Sequence, residues 1–371
     1  MNRKLEILQR DIAHPHYIFC AAPLSQSQVK FVNAVLRTID REGKQALEKT
    51  SIFDNLEPWL AKEWKDTYGE EKAKLIAEAS MSQSPIFISV NHPPESSHEE
   101  RTEKLNFVKD QFSAFSEAEL LPHGSIRVPP NHVGSVAAWP LYDEGDWWVQ
   151  DASASLPAIA LYKGLMTGDR RAGDMHVVDL CCAPGGKTAQ LCASGFGKIS
   201  AVEISSRRIK PLTDNLERLK MSNRCEVIVA DGSEWASDEA IDGVLVDAPC
   251  SATGVGSRRP DVLRRSPDIG ELTDMQRRLA VHTADNLLKP GGIMVYATCS
   301  LLKQESEDQI KWLLSRSSGA VMETVPFTPG EIPGFDEAID ENGWMRVLPG
   351  VLPDSLGSCD GFFVARLRRI K

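Results

Sequence analysis

The chain has no apolar run of the roughly 18 residues needed to cross a bilayer, so a membrane-spanning role is not expected. Its first residues include Glu6 and Asp11 and no apolar core run, unlike a secretory leader. Cysteine is too sparse for a disulfide scaffold, 8 in 371 residues, which points to a reducing compartment. No Cys or His cluster has zinc-ligand spacing, and no bound metal is expected. Neither the dinucleotide G-x-G-x-x-G pattern nor a G-x-x-x-x-G-K-[ST] phosphate loop occurs. Internal repeats and low-complexity blocks are missing too. A general excess of basic charge is also lacking: the net charge is -10, which argues mildly against a polyanionic partner.

What is present fits an ordinary soluble globular protein, with 42% hydrophobic and 25% charged residues. The cations are clustered. Arg207, Arg208 and Lys210 form one knot; Arg258, Arg259, Arg264 and Arg265 form another; Arg366, Arg368, Arg369 and Lys371 end the chain. Each reads either as a solvated face or as a local field that steers a polyanion.

Three regions follow one another. Residues 1–80 read as helical, with Phe31, Val32, Val35 and Leu36 at helical spacing and a further helix opened by Pro58-Trp59-Leu60 and carrying Trp64. The polar stretch 92–101, with Pro93 and Pro94, reads as a surface loop or linker. Residues 85–170 read as a small α/β subdomain containing Ser125–Val128 and Trp147–Asp151. From 171 to 371 strands alternate with helices: His176–Leu180, Lys198–Ile204, Cys225–Ala230, Asp242–Val246 and Ile293–Ala297 are the expected strands. Ile209, Leu212, Leu216 and Leu219 share one helical face. Thr273 and Gln276 have the spacing of a capping box for the helix before the last strand. This order predicts a parallel, doubly wound α/β sheet of Rossmann-like class, with ligands beyond the strand C-termini.

Chemistry gathers at those C-termini. The first strand runs into Cys181-Cys182-Ala183-Pro184-Gly185-Gly186-Lys187-Thr188, where a glycine turn precedes a helix N-terminus whose N–H groups can receive a carboxylate. Glu203 ends the second strand, 24 residues after Asp179, and can hold both hydroxyls of a ribose. Asp231 follows the third, placed to meet an adenine amine. Taken singly, each acid reads equally as a helix cap or turn residue. Together, a nucleoside plus a carboxylate without phosphate describe S-adenosylmethionine. Cys250 and Cys299 each close an apolar strand in a short polar turn, where reactive thiols rather than structural ones are found. Such a pair suits a reaction that adds sulfur to a substrate and later eliminates it.

The run Asp179 to Thr188 resembles the D-x-C-A-A-P-G-G-K-T motif of RNA cytosine-C5 methyltransferases of the Sun/Nop family. Asp247-Ala248-Pro249-Cys250-Ser251 and Thr298-Cys299-Ser300 are similar to that family's two cysteine motifs, and Trp148–Asp151 and Asp360–Ala365 fit as well. The likeness covers about residues 85–371. Upstream, Phe31–Arg37 resembles the last helix of the NusB-like RNA-binding domain that bacterial RsmB-type ribosomal RNA methyltransferases carry; too few residues precede it for a whole domain, so a truncated or divergent N-terminus is expected. The sequence departs from the family pattern at Cys182 (usually Ala), Glu203 (usually Asp), Ala252 (commonly Gly) and Ser89 (often Arg, a lost RNA contact).

The chemistry explains these residue types. Carbon 5 of cytosine is a poor nucleophile until a thiolate adds to carbon 6, a role assigned to Cys299. Charge then builds on ring N3, and Asp247 is the expected acid there, with burial in a dry pocket raising its pKa. As the resemblance implies, Cys250 assists release of the product. Lys187 helps polarise the base or order the cleft, and a nearby Lys or Arg, or Thr298 and Ser300, would activate Cys299. The target base must leave its stack, and Arg208, Arg258 and Arg259 are expected to hold RNA phosphates. The resemblance favours small-subunit ribosomal RNA, with transfer RNA, or a non-catalytic ribosome-assembly role, as alternatives. A DNA cytosine-C5 methyltransferase is disfavoured, because the Glu-Asn-Val motif is missing and Glu341-Asn342 continues to Gly343. A monomer is expected, in the cytoplasm, or in an organelle if a transit peptide precedes this sequence.

Overall fold

A computed structural model describes residues 25–371 except 48, 113–116, 131–133 and 354–355. The helical expectation for 1–80 therefore lies outside the described residues over 1–24. The chain divides into two compact units between Asn55 and Leu56. In the first, helix α1 (Gln26–Leu47) leaves Phe31 and Val35 exposed, with Val32 and Leu36 half-buried.

The second unit begins with α2 (Pro58–Ser80), which starts with proline at its first turn and is interrupted at Gly69. Leu60, Trp64 and Ile76 bury its inner face. Its Tyr68 hydroxyl donates to the Leu301 carbonyl at 2.6 Å, and the Trp59 indole donates to Arg265 at 3.1 Å. This helix is therefore part of the same unit as the 171–371 region.

A four-stranded antiparallel sheet follows, in the order β2 (Glu119–Leu120), β3 (Ile126–Val128), β1 (Ile86–Val90), β4 (Trp147–Val149). Ile88, Ile126 and Trp147 pack with Phe112 and Trp139 in its own small core. The polar stretch 92–101 is a loop only as far as Ser97. There Ser97 and Glu100 form a reciprocal capping box and α3 (His98–Gln111) begins.

The large sheet contains β5 (His176–Leu180), β6 (Lys198–Glu203), β7 (Glu226–Val229), β8 (Ile241–Asp247), β9 (Leu288–Thr298), β10 (Met322–Thr324), β11 (Met345–Val347) and β12 (Phe362–Arg369). Its order is β10-β12-β9-β8-β5-β6-β7, with β11 also paired to β12. The pairs β5/β6, β6/β7, β5/β8 and β8/β9 are parallel, and β12 is antiparallel to β9. Every residue of β5 is buried, as expected of a central parallel strand covered on both faces. Neighbours in the strand alternate between two cores: Val177 joins Leu161, Leu191, Leu212 and Leu245, whereas Val178 joins Val202, Val246, Leu279 and Ile310. The covering helices are α4 (Leu156–Leu165), α5 (Gly186–Ala193), α6 (Ser206–Arg218), α7 (Ile269–His282) and α8 (Glu307–Leu314).

One expectation is corrected. Thr273 and Gln276 lie inside α7, which is capped by Asp268 through the Glu271 N–H; Gln276 is instead fully buried. The sheet reverses its winding between β5 and β8, the place where such folds bind ligands.

Candidate active site

Beyond β5 the chain turns at Gly185, whose φ of 101° lies in the left-handed region, and enters α5. A Cβ on Gly185 would sit 2.8 Å from Leu212, so the turn admits no side chain. Asp179, in β5, is fully buried. Its Oδ2 accepts the Thr188 hydroxyl at 2.6 Å, while Oδ1 has no hydrogen-bond partner. Burial pushes this carboxyl up to about 7, against the pull of the Thr188 hydroxyl. Burial likewise pushes the Cys181 thiol to about 12 and the Cys182 thiol upward, so neither is a nucleophile at neutral pH.

Glu203, at the end of β6, is 1% exposed and accepts the Ser205 N–H at 3.0 Å. Arg208 stands 3.1 Å from its Oε2, an ion-pair distance, but no N–H is aligned on that oxygen, which is left without a hydrogen bond. Asp231 lies just past β7; its Oδ1 accepts the N–H and the hydroxyl of Ser233 at 2.8 and 2.7 Å. The three acids thus lie near the C-terminal ends of three neighbouring strands, with one buried oxygen each of Asp179 and Glu203 left without a hydrogen bond.

The thiols stand past the next two strands. In the β8/β9 register Asp247 faces Ala297, and the Ala248 N–H donates to the Ala297 carbonyl at 3.0 Å. Cys250, three residues beyond Asp247, and Cys299, two beyond Ala297, therefore meet, with 3.6 Å between their sulfurs. Cys250 is pushed well above the ordinary thiol range by its hydrogen bond with Cys299 and by burial. Lys187 donates to Asp247 Oδ2 at 2.7 Å and lies over the Phe362 ring. Burial works against the Lys187 charge, but Asp247 outweighs it and holds the ammonium above its usual value. Asp247 itself is 27% exposed and ion-paired, not buried in a dry pocket as expected from sequence. The Lys187 ammonium and the Arg259 guanidinium both lie within electrostatic reach of Cys299. By contrast, the hydroxyls of Thr298 and Ser300 are engaged elsewhere, with Ser306 and with Glu305.

The loop after Cys250 is locked by backbone. The Gly254 N–H donates to the Cys299 carbonyl at 2.9 Å and the Gly361 N–H to the Gly254 carbonyl at 2.8 Å. Ala252, where a glycine is common in the resembled family, sits at φ 57°, a conformation that favours glycine.

The arginines divide. Arg258 is turned inward: it donates to Asp151 Oδ2 at 2.6 Å and to Asp360 Oδ2 at 3.0 Å, joining the end of β4, the Cys250 loop and the start of β12. Both of those acids are buried, and burial together with Asp151 pushes the Asp360 carboxyl up to about 7 against the pull of Arg258. Its expected hold on a phosphate is thus replaced by an internal tie. Arg208 donates to the Ala183 carbonyl at 2.8 Å beside Glu203, which brings it to the glycine turn. Arg259 is 54% exposed and paired only with Asp261, a contact worth little that a phosphate can displace. Ser89 is also turned inward, its hydroxyl donating to Gln150 at 2.9 Å. Sequence reading missed the Asp151–Arg258–Asp360 tie and Glu305; the signal for the first was the pair of short motifs at 148–151 and 360–365.

A Rossmann-like sheet with a glycine turn and acids at its strand ends defines a class I methyltransferase. The family model for 16S rRNA methyltransferase RsmB/F matches residues 169–368. Ribosomal RNA small subunit methyltransferase B of an Enterobacter species is 35% identical over 94% of this chain and 75% of that protein. The chain belongs to the RsmB/F family. A solved methyltransferase homologue from Pyrococcus horikoshii shares the fold with a TM-score of 0.65 and 26% identity, over 86% of this chain and 99% of that one. NSun6 from the same organism, solved with the S-adenosylmethionine analogue SFG, has a TM-score of 0.64 at 18% identity, over 86% and 100% of the two chains. Among the described residues no helix is long and apolar enough to cross a membrane.

Proposed function

We propose that this protein methylates carbon 5 of a cytosine in RNA, with small-subunit ribosomal RNA as substrate and S-adenosylmethionine as donor. The observation that carries the reading is the 3.6 Å pairing of Cys250 and Cys299 beside the Lys187–Asp247 ion pair and one strand away from the glycine turn. The residues fit the donor. Glu203 offers a buried oxygen without a hydrogen bond, suited to ribose hydroxyls, and Asp231 is placed for the adenine amine. The turn 181–186 leads into the N-terminus of α5, whose free N–H groups suit the carboxylate of the amino-acid end. When bound, the donor supplies a methyl group on a positively charged sulfur.

The chain's own residues do the rest. The Cys299 thiolate, with Lys187 and Arg259 nearby, adds to carbon 6 of an unstacked cytosine. The Lys187–Asp247 pair hydrogen-bonds ring N3 as negative charge builds there, Lys187 supplying positive charge from a largely buried position. Carbon 5, now nucleophilic, takes the methyl group, and its proton is lost to water. Cys250, kept protonated beside Cys299, stabilises the departing thiolate as the carbon–sulfur bond breaks. The 85–170 subdomain and Arg259 contact flanking RNA. The enzyme acts as a monomer in the cytoplasm.

Bisulfite mapping of ribosomal and transfer RNA from cells with and without the gene tests this reading. One cytosine of small-subunit ribosomal RNA should lose its protection when the gene is removed. A protected site lost from transfer RNA instead would shift the substrate, and no difference anywhere would refute methylation at carbon 5.

A further inference from the structure

Glu305 has no part in the chemistry above, yet it is 0% exposed and its carboxylate accepts four hydrogen bonds. Its carboxylate accepts the Ser251 N–H at 2.9 Å and the Gln276 amide at 3.0 Å through Oε1, and the hydroxyls of Ser251 and Ser300 through Oε2. Those two serines directly follow Cys250 and Cys299, and their hydroxyls lie 3.0 Å apart. Gln276 reaches from α7 to the Pro249 carbonyl as well, at 2.9 Å, so Cys250 is held on both sides. The Glu305 carbonyl accepts the buried Tyr296 hydroxyl at 2.8 Å, which fixes the acid to β9.

We propose that Glu305 is a positioning residue for the two-thiol chemistry, its carboxylate clamping the loops of Cys250 and Cys299 so that their sulfurs keep the spacing that release requires. The inference rests on the thiol roles given under Proposed function. Four donors converge on two oxygens, and only a carboxylate offers enough lone pairs with no hydrogen of its own. A glutamine would turn an N–H₂ toward these donors, and an aspartate is one methylene short of spanning both serines. The Glu305 charge also adds to the forces that keep Cys250 protonated.

The test compares Glu305→Gln and Glu305→Asp with the wild-type enzyme, using labelled S-adenosylmethionine and small-subunit ribosomal RNA. Misplacing reacting groups by an ångström costs up to about a hundredfold, so kcat should fall roughly ten- to a hundredfold while KM for RNA is retained. In a Cys299→Ala background, the pH midpoint for alkylation of Cys250, read by peptide mass spectrometry, should move down in Glu305→Gln, a shift that a purely structural role does not produce. If Glu305→Gln does not fold, the Ser251→Ala/Ser300→Ala double variant decides by the same fall in kcat. An unchanged kcat, a loss confined to KM, or an unmoved Cys250 midpoint overturns the assignment. Activity surviving in Cys299→Ala refutes the thiol reading itself; an inactive Cys299→Ala beside a fully active Glu305→Gln refutes only the clamp.

Discussion

The two halves of the sheet's C-terminal edge are built on opposite plans. Near the ends of β5 and β6, one buried oxygen each of Asp179 and Glu203 is left without a hydrogen bond, and the turn at Gly185 leaves no room for a side chain. Past β8 and β9, polar atoms bond mostly to one another: Ser251, Ser300, Gln276 and Glu305 form one network, with Gln276 Oε1 left without a partner, and Gly254 is bonded to the backbone on both sides. Buried oxygens without hydrogen bonds are costly unless something else fills them, which supports the donor site proposed for the first half. A dense hydrogen-bond network gives rigidity, which supports the fixed spacing proposed for the two thiols. On the proposed reading, one edge binds and the other aligns.

That contrast can be broken at either half. The largest effect is expected from Cys299→Ala, which removes the sulfur proposed to attack carbon 6; transfer of labelled methyl to RNA should fall by about a thousandfold or more, as for other lost nucleophiles. Next is Glu203→Ala on the binding half. Calorimetric titration should show donor affinity lowered roughly ten- to a hundredfold, the worth of hydrogen bonds to a charged group, with the melting temperature of the free protein nearly kept.

On the aligning half, Gly254→Ala should do the reverse. Its Cβ would fall 2.4 Å from the Gly361 carbonyl oxygen and 2.8 Å from that of Cys299. Overpacking of this kind costs about 1–3 kcal/mol, visible as a lower melting temperature with donor affinity little changed.

The remaining effect is a pH dependence. The Asp179 carboxyl is raised to about 7 in the folded protein from an ordinary value of 3.8. The folded state therefore binds more protons than the unfolded chain between those values, and this group's contribution to stability is lost as pH rises from about 4 to about 7. Asp179→Asn cannot ionise, so its melting temperature relative to wild type should climb across that window. A parallel pair of curves would show that Asp179 is not the titrating group.

Much of this was legible in the sequence because it rests on local pattern. His176–Leu180 is read correctly from five residues, and Pro184-Gly185-Gly186 from the need for a turn without side chains. The misreadings share a cause: roles set by partners far away in the chain. Thr273 and Gln276 have capping-box spacing, yet Asp268 starts the helix earlier and Gln276 is drawn inward by Glu305. Arg258 reads as a surface cation because nothing local reveals Asp151 and Asp360, both about a hundred residues distant along the chain. Glu305 sits in the polar run Lys303-Gln304-Glu305-Ser306-Glu307, indistinguishable there from a solvated acid. Ser97 and Glu100 have the spacing of a capping box, which the linker reading of 92–101 overlooks.

The alignment of the two sulfurs is tested most directly by incubating Cys250→Ala and Cys299→Ala variants with S-adenosylmethionine and small-subunit ribosomal RNA, then resolving the products on a denaturing gel. The account predicts that Cys250→Ala accumulates a denaturant-resistant protein–RNA adduct while Cys299→Ala forms none. An adduct from Cys299→Ala and none from Cys250→Ala would contradict it.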